Sequence, residues 1–170
     1  AGQSGNIPIQ VLAFDQTVSP IYRGSIDGYS AASAAIEQRD ALGASDLSST
    51  FEALAGLSPH DRVLLVTDGI FTAGDTEADD LHAALKALDI ERLDVLVDGG
   101  IRDEDALHAL VTAGLPQAGL VLEADAPAAE TAARLAEATR SGIGVHVPGA
   151  EWVWPTTLDG VQSGDDALIY

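Results

Sequence analysis

Four acidic residues directly follow apolar stretches that predict buried strands. They are Asp15, Asp68, Asp98 and Glu123. Ligands of an open parallel sheet collect beyond the carboxyl ends of its strands, so these acids mark the edge where a site would form. Carboxylate oxygens suit magnesium, manganese or calcium better than zinc or copper. An acid in this position can also simply cap the next helix, and that alternative stays open for each of the four.

The elements that would position these acids alternate along the chain. Predicted strands cover residues 7–14, 20–23, 62–67, 93–97, 118–122 and 143–147. Predicted helices cover residues 29–42, 77–88 and 127–140, with two more capped at Ser45 or Asp46 and at Asp103. Apolar strands that alternate with amphipathic helices indicate right-handed βαβ units and a parallel sheet covered on both faces. We therefore expect the α/β class, with residues 143–147 as the last parallel strand.

Composition limits the classes of partner. The 170 residues are the length of one ordinary domain, and 8 basic against 27 acidic residues give a formal charge of −19. This charge argues against nucleic acid or an anionic membrane as a partner, and cations are the better match. The chain has no cysteine, which excludes thiol catalysis, thiolate zinc sites and disulfides.

Sequence features that report on cellular location are few. No apolar run approaches the roughly 20 residues that span a bilayer, and no basic-then-apolar leader opens the chain, so we expect no membrane insertion. The basic residues are Lys86 and seven arginines. An acidic, alanine-rich chain of this kind fits a salt-adapted or a high-GC bacterium, and composition alone leaves both open.

Two stretches together resemble the metal loops of the von Willebrand factor A domain. They are "GASDLSSTFEAL" at residues 43–54 and "VLLVTDG" at residues 63–69. The family forms are a turn whose hydroxyl and acid open a helix, then a buried strand ending Thr-Asp-Gly. On this resemblance Ser45 takes the place of the metal-binding threonine and Asp68 that of the later metal aspartate. The resemblance implies a Mg²⁺, Mn²⁺ or Ca²⁺ site at Ser45 and Asp68. Asp46 would lie nearby, either as a helix cap or in contact with the ligands rather than with the ion.

The resemblance covers nearly the whole chain. "IQVLAFDQTVSPIY" is similar to the second strand and hairpin of the family, and "WVWPTTLDGVQSGDDALIY" to the segment after the A domain in bacterial proteins of the inter-alpha-trypsin inhibitor heavy-chain type. It implies a three-layer, Rossmann-like, mostly parallel sheet in residues 1–148 and a β extension in residues 149–170. Within that extension we expect two short strands, with Trp152 and Trp154 on one face and packed against the domain.

One family motif, Asp-x-Ser-x-Ser after the first strand, has no good counterpart. Asp15-x-Thr17-x-Ser19 is the candidate, but the interval to Ser45 is too short for the helix, strand and hairpin that separate those loops. We assign Asp15 to the hairpin and expect the first strand, its loop and the first helix upstream of residue 1. Ser45 and Asp68 alone would bind metal weakly, because magnesium takes six ligands.

The function that the resemblance implies is protein–protein interaction or adhesion, with no enzymatic activity. An acidic side chain of a protein ligand would take the last position on the cation. A complementing N-terminal segment or a homodimer could supply the missing part of the sheet. The resemblance also favours the cell envelope or secretion, although the residues themselves leave localisation open.

Two alternatives remain. Asp98-Gly99-Gly100-Ile101-Arg102, between a strand and a helix, is similar to the phosphate-gripping turn of nucleotide-binding barrels and would indicate a phosphate-binding enzyme. Acids at the start of the following helix, Asp103, Glu104 and Asp105, would repel phosphate there. The other alternative is a degenerate, metal-free scaffold of the same fold. The histidines are scattered, with no pair at i, i+4.

Overall fold

The computed structural model describes residues 6–39, 44–57, 60–71, 73–74, 78–100 and 102–170. Its contacts divide the chain into two compact units. The hairpin unit comprises Ala1–Gly56 and Phe71–Thr76, and the sheet unit comprises Leu57–Ile70 and Glu77–Tyr170.

The hairpin unit begins with two antiparallel strands, β1 (Pro8–Phe14) and β2 (Val18–Ser25). Their register shifts between Val11 and Leu12, which marks a bulge. The turn that joins them contains Asp15, as the sequence predicted. Both predicted strands of the hairpin are confirmed, and the second extends beyond residues 20–23 at both ends.

The predicted helix over residues 29–42 is only partly formed. A 3₁₀ helix spans Ile26–Ala31, a single α-helical turn (α1) spans Ala34–Glu37, and residues 40–43 lie outside the described part. The Ser33 hydroxyl donates to the Ser30 carbonyl at 3.1 Å, between these two short elements. Serine side chains that bond to nearby backbone compete with regular helix, which explains the irregular course here.

Helix α2 (Leu47–Ala55) forms where its cap predicts it. Asp46 is the N-cap and accepts the backbone N–H of Ser49. Leu47 and Phe51, one turn apart, are 1% exposed and form the buried stripe. Leu54, the third residue predicted on that face, is half-buried.

The sheet unit contains a three-stranded parallel sheet in the order β3 (Arg62–Thr67), β4 (Arg92–Val97) and β5 (Val121–Glu123). Helices α3 (Ala78–Lys86) and α4 (Glu104–Val111) follow β3 and β4, and α4 contacts β4, β5 and α3. The predicted α/β class, with a parallel sheet flanked by helices, is confirmed to this extent. Among the described residues, no helix has the length and apolar character required to cross a membrane.

The strands of this sheet differ in how they are covered. Every residue of β4 is buried except the half-buried Leu96, so both faces of the central strand are covered. In β3, Leu65 and Thr67 are buried, whereas Leu64 and Val66 are 46% and 55% exposed. The outer strand β3 therefore has one covered face and one apolar face that is open to solvent.

Strand β5 starts three residues later than predicted because of Gly119. Its backbone N–H donates to the Val111 carbonyl at the end of α4, at 2.8 Å. A Cβ atom at Gly119 would overlap the Leu93 carbonyl oxygen and lie 2.6 Å from its carbon. Only glycine fits this close approach to β4, and regular pairing of β5 with β4 begins two residues later, at Val121.

A buried ionic network joins the amino ends of these strands. Asp94 is 1% exposed and accepts the Arg92 Nε at 2.8 Å, the Leu120 backbone N–H at 3.0 Å and the Arg62 Nη2 at 2.6 Å. The Arg92 Nη1 donates to the Glu137 carbonyl at 2.8 Å. The network ties β3, β4 and the start of β5 to the end of α5 (Ala128–Ala136).

The prediction of a last parallel strand at residues 143–147 is wrong. Only β6 (Ile143–Gly144) forms there, and it pairs antiparallel with β7 (Thr157–Leu158) in a separate two-stranded sheet. The apolar run predicted neither burial nor the neighbouring strand, since Ile143 and Val147 are 40% and 42% exposed and the strand that pairs with β6 comes from the chain's own tail.

The rest of the tail also departs from the prediction. Trp152–Trp154 and residues 167–170 contain no regular strand, although Trp154 and Tyr170 exchange two backbone hydrogen bonds. Trp152 and Trp154 are 67% and 57% exposed, so the predicted packing against the domain is wrong.

Candidate metal-binding site

Ser45 immediately precedes helix α2, and its backbone is fixed from two sides. Its carbonyl accepts the Ala73 N–H at 3.3 Å, and the next residue, Asp46, forms a parallel bridge with Ala73. The Asp46 N–H donates to the Asp15 carbonyl at 2.9 Å. The half-buried Ser45 is thus held between the β1–β2 turn and the Ala73 segment, all within the hairpin unit.

Asp46 uses both carboxylate oxygens inside the hairpin unit. Oδ1 accepts the Ser49 N–H at 2.9 Å and the Ser48 hydroxyl at 2.8 Å, and Oδ2 accepts the Ser49 hydroxyl at 2.7 Å. These bonds, foremost the one from the Ser49 backbone, hold the pKa of Asp46 below its usual range. The predicted cap at Asp46 is confirmed, and its carboxylate is engaged by the helix start.

Asp68 stands at the carboxyl end of β3 and is exposed. Its Oδ1 accepts the Ile70 N–H at 3.1 Å, which closes a local Asx turn. Among the described residues no donor reaches Oδ2. The turn after the neighbouring strand lies close by, because a Cβ at Gly99 would be 3.5 Å from the Asp68 Cβ. Asp68 therefore has a fixed backbone and an outward carboxylate.

The two predicted ligands belong to different units, Ser45 to the hairpin unit and Asp68 to the sheet unit. Their convergence on one ion remains a prediction. Within the described ranges, no three residues of the histidine, aspartate and glutamate types are grouped as metal ligands.

Two of the four strand-end acids are ion-paired. Asp15 accepts the Thr17 N–H at 2.8 Å and pairs with Arg39, and the pKa of Asp15 is lowered first by the Thr17 bond and then by the arginine. Glu123, at the end of β5, pairs through both oxygens with Arg102, and this hydrogen bonding lowers the pKa of Glu123. Asp15 thus serves the hairpin turn, in agreement with its assignment from the sequence.

The pairing of Arg102 bears on the alternative in which residues 98–102 form a phosphate-binding turn. Within that turn, Ile101 lies outside the described residues. The Arg102 guanidinium also contacts Glu104 at 3.2 Å, and its hydrogen bonds to Glu123 raise the pKa of Arg102. Asp103 caps α4 by accepting the Ala106 N–H at 2.9 Å. A phosphate would have to compete with carboxylates for both the arginine and the helix N-terminus.

Sequence reasoning missed the Arg102–Glu123 pair. Both residues follow adjacent strands of a parallel sheet, and that placement was the available signal, because the carboxyl ends of such strands meet at one edge.

Comparison with known protein-family models and with curated proteins gave no match. Function is therefore inferred from this chain's own residues and their geometry.

Proposed function

We propose that this chain is a non-enzymatic α/β binding module of the von Willebrand factor A type that engages a protein ligand through a divalent cation held by Ser45 and Asp68. The observation that carries the proposal is the exposed carboxylate of Asp68, fixed by its Asx turn at the carboxyl end of β3. Ligands of parallel sheets gather at this edge. The finer architecture, a three-layer Rossmann-like sheet, belongs to the same proposal.

The donor set fits a hard cation. One hydroxyl and one carboxylate supply two oxygen positions, and Mg²⁺ would complete its shell of about six with waters and an acidic side chain of the ligand. Mn²⁺ and Ca²⁺ take the same oxygen donors. Asp46 would orient Ser45 through the backbone rather than bind the ion, since both of its oxygens already accept hydrogen bonds.

The cation test uses the full chain and thermal unfolding at constant ionic strength. Mg²⁺ at ten times its dissociation constant should add about 1.4 kcal/mol to the free energy of unfolding, because only the folded chain holds the site. Asp68→Asn and Ser45→Ala should each abolish most of this gain. Asp61→Asn is the matched control, since it removes the same charge from an exposed residue at the amino end of the same strand.

A second readout tests the convergence of the two ligands. Mn²⁺ broadens the NMR signals of nuclei near it, so substoichiometric Mn²⁺ should broaden the amides of residues 45 and 68 together. Broadening at only one of them would refute the shared site. An equal response of the wild type and all three variants to Mg²⁺ would point to the metal-free scaffold instead, and stabilisation by inorganic phosphate would point to the phosphate-binding alternative.

The partner side of the proposal has support in β3. Leu64 and Val66 present an apolar face to solvent on the outer strand of the described sheet. A complementing segment or a second copy that packs against this face would cover it. Sedimentation velocity of the chain tests this arrangement, and a monodisperse monomer across the micromolar range would exclude the homodimer.

A further inference from the structure

The tail of the sheet unit carries a second exposed surface. Trp152, Trp154, Leu168 and Tyr170 are 67%, 57%, 70% and 62% exposed, and together they are called here the aromatic tail surface. The residues between them, Val153 and Ile169, are half-buried. Exposure therefore alternates along both segments, and the four large side chains are its exposed positions.

Backbone contacts hold the two segments together. The Trp154 N–H donates to the Tyr170 carbonyl at 3.1 Å, and the Tyr170 N–H donates back to Trp154 at 2.9 Å. The two rings lie side by side, with centroids 6.0 Å apart and planes tilted by 42°. The two rings are therefore neighbours, and both residues remain largely exposed.

The segment that leads to this surface is anchored to the sheet unit by polar contacts. The Gln162 side chain is 9% exposed and donates to the carbonyls of Arg134 and Glu137 at 2.7 and 3.0 Å. Arg134 in turn pairs with Asp165 at 2.8 Å. A surface on such a framework loses little conformational freedom when it binds, which favours recognition.

The charge of the chain indicates which kind of partner would bind the aromatic tail surface. Exposed carboxylates lie near residues of this surface in sequence, Glu151 next to Trp152 and Asp166 two residues before Leu168. Nucleic acid or an anionic membrane would bring negative charge to a molecule that already carries −19. Cations, by contrast, are attracted both by the carboxylates and by the faces of tryptophan and tyrosine rings.

We propose that the aromatic tail surface binds an arginine-bearing segment of a partner protein. The guanidinium groups stack on Trp152 and Trp154 and pair with Glu151 and Asp166. Arginine is preferred to lysine because its planar group stacks on rings and bonds carboxylates through two nitrogens. This surface shares no residue with the proposed cation site, and the two proposals stand or fall independently.

The test exploits the tryptophan content of the chain. Trp152 and Trp154 are its two tryptophans, so intrinsic tryptophan fluorescence of the full chain reports on this surface. The probe is N-acetyl tetra-arginine amide at about 0.15 M salt, a concentration at which only short-range charge contacts remain strong. Increasing peptide concentration should change the tryptophan emission until the change saturates. The matching tetra-lysine peptide should bind more weakly, and EDTA should have no effect on either.

Two matched pairs of variants locate the interaction. Trp154→Leu keeps apolar bulk without the ring face and should weaken tetra-arginine binding about three- to fivefold, whereas Trp154→Phe should bind closer to wild type. Glu151→Gln should weaken binding, whereas Glu52→Gln, an equal charge change at an exposed residue of α2, should not. Circular dichroism confirms that each variant is folded.

The following results would overturn the proposal of arginine binding. Wild-type affinity in Trp154→Leu, or equal losses in Glu151→Gln and Glu52→Gln, would reduce the binding to apolar contact or to net charge. A dimer whose tryptophan emission shifts to the blue would assign the surface to a second copy. An emission shift with phosphatidylglycerol vesicles but not with tetra-arginine would assign it to a membrane.

Discussion

Asp46 shows how one carboxylate can organise the start of a helix. Asp46→Ala removes the cap of α2 and the bonds from Ser48 and Ser49. We expect a loss of about 1–2 kcal/mol in the free energy of unfolding, measured by urea denaturation. Asp103→Ala is the comparison, because that cap accepts one hydrogen bond, from Ala106, and should cost less. Equal losses would mean that the additional bonds at Asp46 contribute nothing.

Gly74 is packed against that same carboxylate. Its φ of +71° disfavours other residues, and a Cβ there would lie 2.5 Å from the Ser48 Oγ and overlap the Asp46 Oδ1. Gly142 has a similar φ of +69° with nothing near its missing Cβ. Gly142→Ala should therefore show only the backbone cost, roughly 1–2 kcal/mol, and Gly74→Ala clearly more. Thermal unfolding of the two variants checks this order, which a comparable loss in both would contradict.

At the scale of the elements, we expect the stability of β4 to depend on the buried charge of Asp94. Asp94→Asn keeps the shape of the side chain but leaves Arg92, 2% exposed, without its counter-charge. Breaking a buried ion pair in this way costs about 3–5 kcal/mol. Glu104→Gln, which removes an exposed partner of Arg102, should change stability little. Urea midpoints of the two variants provide the measurement, and a small effect at Asp94 would show that water reaches the network.

Strands and helices were predictable where the signal is local. Strands β3 and β4 are apolar runs between polar residues, and α2 and α4 begin at aspartate caps that act within three residues. Residues 143–147 and the tryptophans of the tail were mispredicted because pairing partners and burial depend on contacts distant in sequence. Apolar composition alone predicts neither the neighbour of a strand nor the side that faces solvent.

The candidate site was also predictable from the sequence only where the signal is local. Ser45 and Asp68 could be selected from short motifs, and the cap at Asp46 follows from its position before an apolar helix. The Arg102–Glu123 pair joins the ends of two separate βα units, so it becomes visible only when the strands are aligned. The structure confirms the cap, whereas the cation site remains a proposal.

For the whole molecule, acid should destabilise the fold through specific carboxylates. Asp15, Asp46 and Glu123 have pKa values below the ordinary 3.8, 3.8 and 4.5. A lowered folded pKa contributes stability above the unfolded value, and that stability is lost as pH falls through the folded value. We expect the free energy of unfolding to fall as pH drops below about 4.5, with a smaller fall in Asp46→Ala. Urea titrations at pH 6, 4.5 and 3 in constant salt measure both, and equal falls in the two proteins would contradict the assignment to Asp46.

The open face of β3 bears on how the protein must be handled. Leu64 and Val66 lie between two charges, Arg62 and Asp68, and a strand edge of this kind can template pairing between chains. Those charges act as gatekeepers, and the −19 of the whole chain keeps copies apart. Concentrated salt would screen both, and a pH near the sequence pI of about 4.1 would remove most of the net charge. Storage near neutral pH at modest ionic strength should therefore preserve the soluble protein, and precipitation during purification should begin at this strand.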